Sequence, residues 1–284
     1  FLVIYLTMKM QQLKMEGSIN WGLIGYGKFG KKIEDSFLTA KHSKLKAIAS
    51  RSFEKKNDVT EKLSEDKIVY DSHNKLFKDK SIDSVYIATT NNFHKELIIS
   101  AAKHKKNIIC EKPACLNEKD FKECVDEIKK NDVFFMEGLM YLHHPQIIKA
   151  INLIKRGKIG EVKKINSSFG YRIGKKFFFL ELKKIDTKSR IFNSKLGGGA
   201  IYDLGCYPIT AALLFFNLQR TSNKIIKSEF NRNDGRYGVD ESADAKLFFE
   251  NGGEANLKVS IRKDLENTIE IIGNRGKIKI LYPW

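Results

Sequence analysis

Residues Ile19–Gly30 read INWGLIGYGKFG, and their reading decides the fold. Ile19 to Gly25 is a short, mostly apolar run ending in glycine, the pattern of a buried strand. The KKIEDSFL that follows places Ile33, Phe37 and Leu38 at helical spacing. Between strand and helix lie Gly25, Gly27 and Gly30. In that setting the first glycine permits a tight turn, the second lets backbone approach a pyrophosphate, and the third lets helix and strand pack closely. The free N–H groups of the helix N-terminus then face the phosphates. Alone the three glycines are a weak signal; their place inside a strand–turn–helix unit points to dinucleotide binding.

Working outward, Leu45–Ser50 (LKAIAS), Val85–Thr90 (VYIATT), Asn107–Cys110 (NIIC) and Val133–Met136 (VFFM) read as further buried strands. Helical faces separate the later ones: Leu97, Ile98, Ala101 and Ala102, then Phe121, Cys124, Val125 and Ile128. Strands alternating with amphipathic helices imply a parallel sheet covered on both faces. The pattern changes near residue 140. A helix with Ile147, Ile148, Ile151 and Ile154 stops at Gly157. Later, Ala255, Leu257, Val259 and Ile261 alternate with Asn256, Lys258, Ser260 and Arg262, and Ile269/Ile271 and Ile278/Ile280 repeat the alternation. One buried and one polar face is the mark of antiparallel pairing. The expected fold is therefore α/β: a Rossmann dinucleotide-binding domain over 18–140, then an α+β domain over 141–284 with a predominantly antiparallel open sheet. Residues 1–17 read as a disordered or mis-started leader, with Met8, Met10 and Met15 as alternative starts. Its apolar FLVIYL is far short of the ~20 residues of a membrane span.

The 284 residues carry 51 Lys+Arg against 34 Asp+Glu, a formal charge of +17, with 42% hydrophobic residues. That composition can bury a core. The basic residues are scattered doublets such as Lys105-Lys106, Lys129-Lys130 and Lys183-Lys184 rather than one block, which favours a lysine-rich solvated surface over a nucleic-acid partner. Four cysteines without a CxxC pair make neither a disulfide scaffold nor a zinc set, so no metal is expected and a reducing, cytoplasmic setting is favoured.

The end of the second strand bears on the nucleotide. An NAD site places an acidic residue about 20 residues on, to accept from the ribose 2′-OH. Here Ser50-Arg51-Ser52 stands instead, a guanidinium between two hydroxyls that suits a 2′-phosphate. NADP is favoured; Glu54, a turn later, leaves NAD open.

Five stretches appear in order: Gly25–Gly30, Ala88–His94 (ATTNNFH), Glu111-Lys112-Pro113, Met136–Gln146 (MEGLMYLHHPQ) and Gly197–Pro208 (GGGAIYDLGCYP). Together they resemble the glucose-fructose oxidoreductase/inositol dehydrogenase (Gfo/Idh/MocA) family, and within it the branch of dimeric dihydrodiol dehydrogenases and NADP-dependent D-xylose dehydrogenases. The resemblance runs from about Ile19 to the end of the chain. It implies an oxidoreductase that moves hydride between a nicotinamide and the carbinol carbon of a sugar or cyclic diol. It further implies cofactor contacts at Gly25, Gly27, Lys28, Phe29, Gly30, Ser50, Arg51, Ser52, Thr89, Thr90, Asn91, His94, Glu111 and Lys112, and a homodimer or higher oligomer formed through the C-terminal sheet.

By the same resemblance Lys112 lies beside nicotinamide and substrate hydroxyl, and Tyr207 is the acid/base where many relatives carry histidine. Lys112, Tyr171, Asp203 and Tyr207 are the expected substrate contacts. Tyrosine titrates at about 10, and lowering that by about three units needs roughly 4 kcal/mol of differential interaction, for which a neighbouring ammonium has the right sign. Pro208 in the stretch after Asp203 predicts a kink near Gly205. Three departures stand out: Leu142 where the branch carries arginine, Thr90 where proline is common, and an end at Trp284 where relatives continue with a further helix and strand. Leu142 and the early end give some weight to a rival reading, a catalytically inert NADP-binding regulator on the same fold, against which intact Lys112, Asp203 and Tyr207 count; Thr90 is a mild change.

Overall fold

The computed structural model describes residues 17–50, 53, 67–174, 176–177, 180–181, 189–219, 224–235 and 237–284. The chain divides into two compact units, Phe1–Gly138 and Leu139–Trp284.

The first unit is a six-stranded sheet in the order β3-β2-β1-β4-β5-β6. Its strands are β1 (Ile19–Ile24), β2 (Ser43–Ala49), β3 (Ile68–Tyr70), β4 (Ser84–Ile87), β5 (Asn107–Cys110) and β6 (Phe135–Glu137). Every pairing is parallel. Helices α1 (Lys28–Phe37), α2 (His73–Lys78), α3 (His94–Lys103) and α4 (Glu118–Asn131) connect them. Strands covered on both faces must be apolar on both, and Leu23, Ile24, Ile48, Ala49, Val85, Ile87 and Ile108 are all at 0% exposure. Helix α4 shows how local sequence sets the boundaries. Asn117 accepts from the Asp120 N–H at 2.9 Å to open it, and Asp132 closes it in the left-handed region at φ 51°.

The second unit holds α5 (Pro145–Lys155), β7 (Val162–Gly170), the short ribbon of β8 (Lys176–Phe177) and β9 (Leu180–Glu181), α6 (Cys206–Asn217), β10 (Ile225–Asp234), β11 (Asp240–Phe249), β12 (Glu254–Ser260), β13 (Thr268–Gly273) and β14 (Lys277–Leu281). Its large sheet runs β10-β11-β12-β7-β13-β14. All neighbours are antiparallel except β12 and β7, which are parallel. The alternation has the expected result: Ala255, Leu257 and Val259 are buried and Lys258 is exposed. Ser194–Asn217 is long and apolar enough by composition to cross a membrane. Its Ala211, Ala212, Phe215 and Phe216, at 0% exposure, instead form the core of this unit with Ile165, Leu257 and Ile271.

One carboxylate ties three strands of that sheet. Glu254 on β12 meets Lys164 of β7 at 2.5 Å and Lys246 of β11 at 2.9 Å. These ammonium donors hold its carboxyl down at about 2. A depressed carboxylate stabilises fully above its ordinary value of 4.5 and loses that contribution as pH falls through about 2. Because the pair is solvent-accessible, Glu254→Gln should cost under about 1 kcal/mol at neutral pH. Urea unfolding at stepped pH should show the difference from the parent vanishing across that acidic window; a difference independent of pH would refute the ionic account.

Candidate functional site

Within the first unit the strand order reverses between β1 and β4, the position where open α/β sheets bind ligands beyond the strand ends. The glycine turn sits there. Gly25 has φ 92°, and a Cβ on it would lie 2.9 Å from Thr89 Cγ2 and 3.0 Å from the Ala88 carbonyl oxygen. A Cβ on Gly30 would lie 2.3 Å from the Gly25 carbonyl oxygen. A Cβ on Gly27 would meet nothing within 4 Å. Gly25 and Gly30 therefore serve close packing, whereas Gly27 faces open space at the start of α1. That helix has no side-chain cap and no acidic residue in its first turn. Its leading N–H groups and the positive end of its dipole are unopposed by carboxylate, which fits a dinucleotide pyrophosphate. Lys28 and Phe29 lie on this first turn, both exposed.

Ser50, at the end of β2, is buried, and its N–H donates to the Tyr70 carbonyl at 3.2 Å. Arg51 and Ser52, the expected 2′-phosphate contacts, lie outside the described residues, as does Glu54.

Beyond β4, Thr90 Oγ1 donates to Asn92 Oδ1 at 2.7 Å and Asn91 is buried. His94 opens α3 at 0% exposure. Its Nδ1 lies 2.8 Å from the Pro113 carbonyl oxygen and its Nε2 lies 3.2 Å from that of Thr89. The imidazole thus links the turn after β4 to the turn that carries Lys112. Sequence reading placed His94 among cofactor contacts; the structure gives its ring nitrogens carbonyl partners within the scaffold.

After β5, Glu111 Oε1 accepts from the Tyr86 hydroxyl at 2.5 Å. Glu137, at the end of β6, accepts from the Ala114 N–H at 2.8 Å and so holds the far side of the Lys112–Pro113 turn. Burial pushes its carboxyl up, against the Ala114 hydrogen bond and the Lys112 charge, which favour ionisation. Sequence reading did not single out Glu137 as a site residue, although it stands in the quoted MEG stretch; its partner is 23 residues away.

In the second unit, the Gly197–Pro208 stretch forms a π-helical turn over Ile201–Gly205 that runs into α6. The sequence predicts a kink near Gly205; the structure has a π-helical turn that ends at that residue. Proline lacks the N–H that would continue an α-helical ladder, and a widened turn accommodates it. Asp240 on β11 accepts from the Ile201 N–H at 2.7 Å and secures the start of the turn. Asp203, at 5% exposure, accepts from the Tyr171 hydroxyl at 2.9 Å through Oδ2 and from Arg190 Nη2 at 2.7 Å through Oδ1. Burial, followed by the Asp203 charge, pushes the Tyr171 hydroxyl well above its usual range. Sequence reading did not foresee Arg190 as Asp203's partner; it lies 13 residues before Asp203.

Tyr207 is buried at 5% exposure among aromatic rings: Phe169 at 5.2 Å edge-on, with Tyr141 and Trp284 each at 5.8 Å. Its hydroxyl lies 3.7 Å from Met140 Sδ. Phe169 also contacts Tyr171 at 6.3 Å, so one ring lies between the Asp203 cluster and Tyr207. Leu142 packs against the core of this unit, and His144 Nδ1 accepts from the Gln146 N–H at 3.3 Å as the cap of α5.

A parallel nucleotide-binding sheet with a glycine turn at its reversal point, followed by a unit built on a mixed sheet, defines a two-unit dinucleotide-dependent oxidoreductase class. The chain belongs to the GFO/IDH/MocA oxidoreductase family: residues 19–139 match its NAD-binding Rossmann-fold part and residues 147–279 its C-terminal domain. It is 30% identical over 262 residues to a trans-1,2-dihydrobenzene-1,2-diol dehydrogenase of Xenopus tropicalis, covering 92% of this chain and 74% of that protein. In fold it is similar to the aldose-aldose oxidoreductase of Caulobacter crescentus complexed with glycerol (TM-score 0.80, 23% identity, 94% of this chain and 77% of that one). It is likewise similar to the 3-ketoreductase of Actinomadura kijaniata in complex with NADP and TDP-benzene (TM-score 0.77, 23% identity, 93% and 77%).

Proposed function

We propose that this chain is an NADP-preferring oxidoreductase acting on a carbinol carbon of a sugar or cyclic diol. The observation that carries the reading is the Asp203 carboxylate, buried and held by two donors on the irregular turn that leads directly to Tyr207. A buried carboxylate held by a tyrosine and by a partly exposed arginine fits a site residue. The dihydrodiol dehydrogenase likeness supports the diol class, and the NADP of the ketoreductase complex agrees with Ser50-Arg51-Ser52.

The Gly25–Gly30 turn and the first N–H groups of α1 would hold the pyrophosphate, and Ser50 with Arg51 the 2′-phosphate. When bound, the nicotinamide supplies or accepts the hydride. The Tyr207 hydroxyl gives or takes the proton of the substrate hydroxyl. Lys112 carries over from the family motif as a ligand of the substrate hydroxyl. Asp203, fixed by Tyr171 and Arg190, orients the substrate. The test is a panel of trans-diols, aldoses and inositols with NADP⁺ and NAD⁺, followed at the nicotinamide absorbance. Turnover on at least one polyol, faster with NADP⁺, is expected; tight nucleotide binding with no turnover on any would overturn the proposal.

A further inference from the structure

Three of the four cysteines gather beside the Lys112 turn. Cys115, half-buried, lies three positions beyond Lys112, and Cys124 is buried in α4; their sulfurs are 3.6 Å apart. Cys110, at the end of β5, is at 0% exposure. No CxxC spacing announces the pair, because the fold brings together residues nine apart.

The surroundings distinguish the two thiols. The Cys115 S–H donates to Cys124, which holds the Cys124 thiol below its usual range against the opposing effect of burial, with the Lys95 ammonium adding to the lowering. That ammonium is anchored by Asp120 and Glu123, both at 2.6 Å. The same hydrogen bond, then burial, pushes Cys115 up. Burial above all pushes Cys110 well up, so it stays a protonated thiol. A buried thiol whose ionisation is eased, next to a more accessible sulfur, is the arrangement of a resolving and a peroxide-reacting cysteine.

We propose that Cys115 and Cys124 are a reversible dithiol–disulfide pair, a modification site for oxidants of the peroxide class that fastens the turn after Lys112 to α4. With Cys124 ionised, the Cys115 thiol passes its proton to Cys124 across their 3.6 Å contact, and the Cys115 thiolate attacks a peroxide oxygen. An S–O bond forms, the O–O bond breaks, and the departing hydroxide takes the thiol proton as water. The Cys124 thiolate then attacks the Cys115 sulfenic sulfur. The S–S bond forms, the S–O bond breaks, and the leaving hydroxide takes back from solvent the proton that Cys124 released on ionising. The two sulfurs are together oxidised by two electrons and one peroxide becomes two waters. The sulfurs need to close from 3.6 Å to about 2.05 Å.

The test uses the full chain treated with hydrogen peroxide and does not depend on the proposed activity. The intact mass should fall by about 2 Da, and the denatured thiol count should fall by two from four, with dithiothreitol restoring both. Peptide mapping should join Cys115 to Cys124, and amide hydrogen exchange over Glu111–Cys115 should slow in the oxidised form. Cys115→Ser, a change at a half-buried position, should keep its remaining thiols under the same treatment. Oxygen adducts without the mass loss, a bond to Cys110, or two thiols lost from Cys115→Ser would overturn the pairing. Unchanged exchange in a chain carrying the Cys115–Cys124 bond would overturn the fastening.

Discussion

Tyr207→Phe is expected to lower kcat by about 10²–10⁴-fold on any substrate the parent turns over, the range of a positioned acid/base group. The substitution removes one oxygen and leaves the ring. The ring contacts with Phe169 at 5.2 Å and with Tyr141 and Trp284 at 5.8 Å persist. Among the contacts of the hydroxyl, that with Met140 Sδ at 3.7 Å is a weak sulfur one. Stability should therefore change by under about 1 kcal/mol, and NADPH affinity should be that of the parent. A structural tyrosine predicts the converse, a modest stability loss with turnover retained. Stopped-flow measurement of hydride transfer separates the two. Near-parental rates would remove Tyr207 from the mechanism and, with it, the proton route proposed for this family member.

The legibility of this chain followed burial. Strands β1, β4 and β5 are continuous apolar runs because the parallel sheet is covered on both faces, and runs of that kind announce themselves. β3 is only three residues long, and the six-residue α2 beside it buries just Leu76 and Phe77, so neither offers a period to read. β10 spans ten residues that are exposed throughout, with Ile226 and Phe230 each at 66%; without a buried side it carries no alternation. β7 escapes for another reason. It lies between a parallel and an antiparallel neighbour in mid-sheet, yet its VKKINSSFG mixes lysines and serines among the buried Val162 and Ile165.

The candidate site divides in the same way. Asp203 and Lys112 stand in local motifs, and it is the family resemblance of those motifs that singles them out. Arg190 acquires meaning only when the chain folds back 13 residues to place its Nη2 on Asp203. Glu137 acquires its role only when β6 pairs beside β5 and brings its carboxylate to the Ala114 N–H. His94 was legible as a motif residue but not as a tie between the Thr89 and Pro113 carbonyls. Motifs carry residue identity; hydrogen-bond partners distant in sequence come from topology, which no local pattern encodes.

The glycine turn allows packing and binding roles to be separated by two single-methyl substitutions. Gly30→Ala should destabilise the first unit by about 3 kcal/mol, the upper end of overpacking costs. Its Cβ would stand 2.3 Å from the Gly25 carbonyl oxygen, a backbone atom that cannot swing aside, so α1 must lift from β1. Alanine's better helix propensity, worth up to about 1 kcal/mol, offsets only part of this. Measured against the roughly 5–15 kcal/mol that keeps a domain folded, the loss is large. Gly27→Ala should behave oppositely. Its φ of −85° suits any residue and its Cβ meets nothing within 4 Å, so stability should stay within about 0.5 kcal/mol of the parent. The methyl would instead occupy space reserved for the pyrophosphate, and NADPH affinity should fall at least tenfold, about 1.4 kcal/mol. Urea unfolding and nucleotide fluorescence titration on both variants give the four values needed. Parental NADPH affinity in Gly27→Ala would mean that the open ground before α1 is not where the dinucleotide sits, and equal stability losses in the two would remove the special packing role of Gly30.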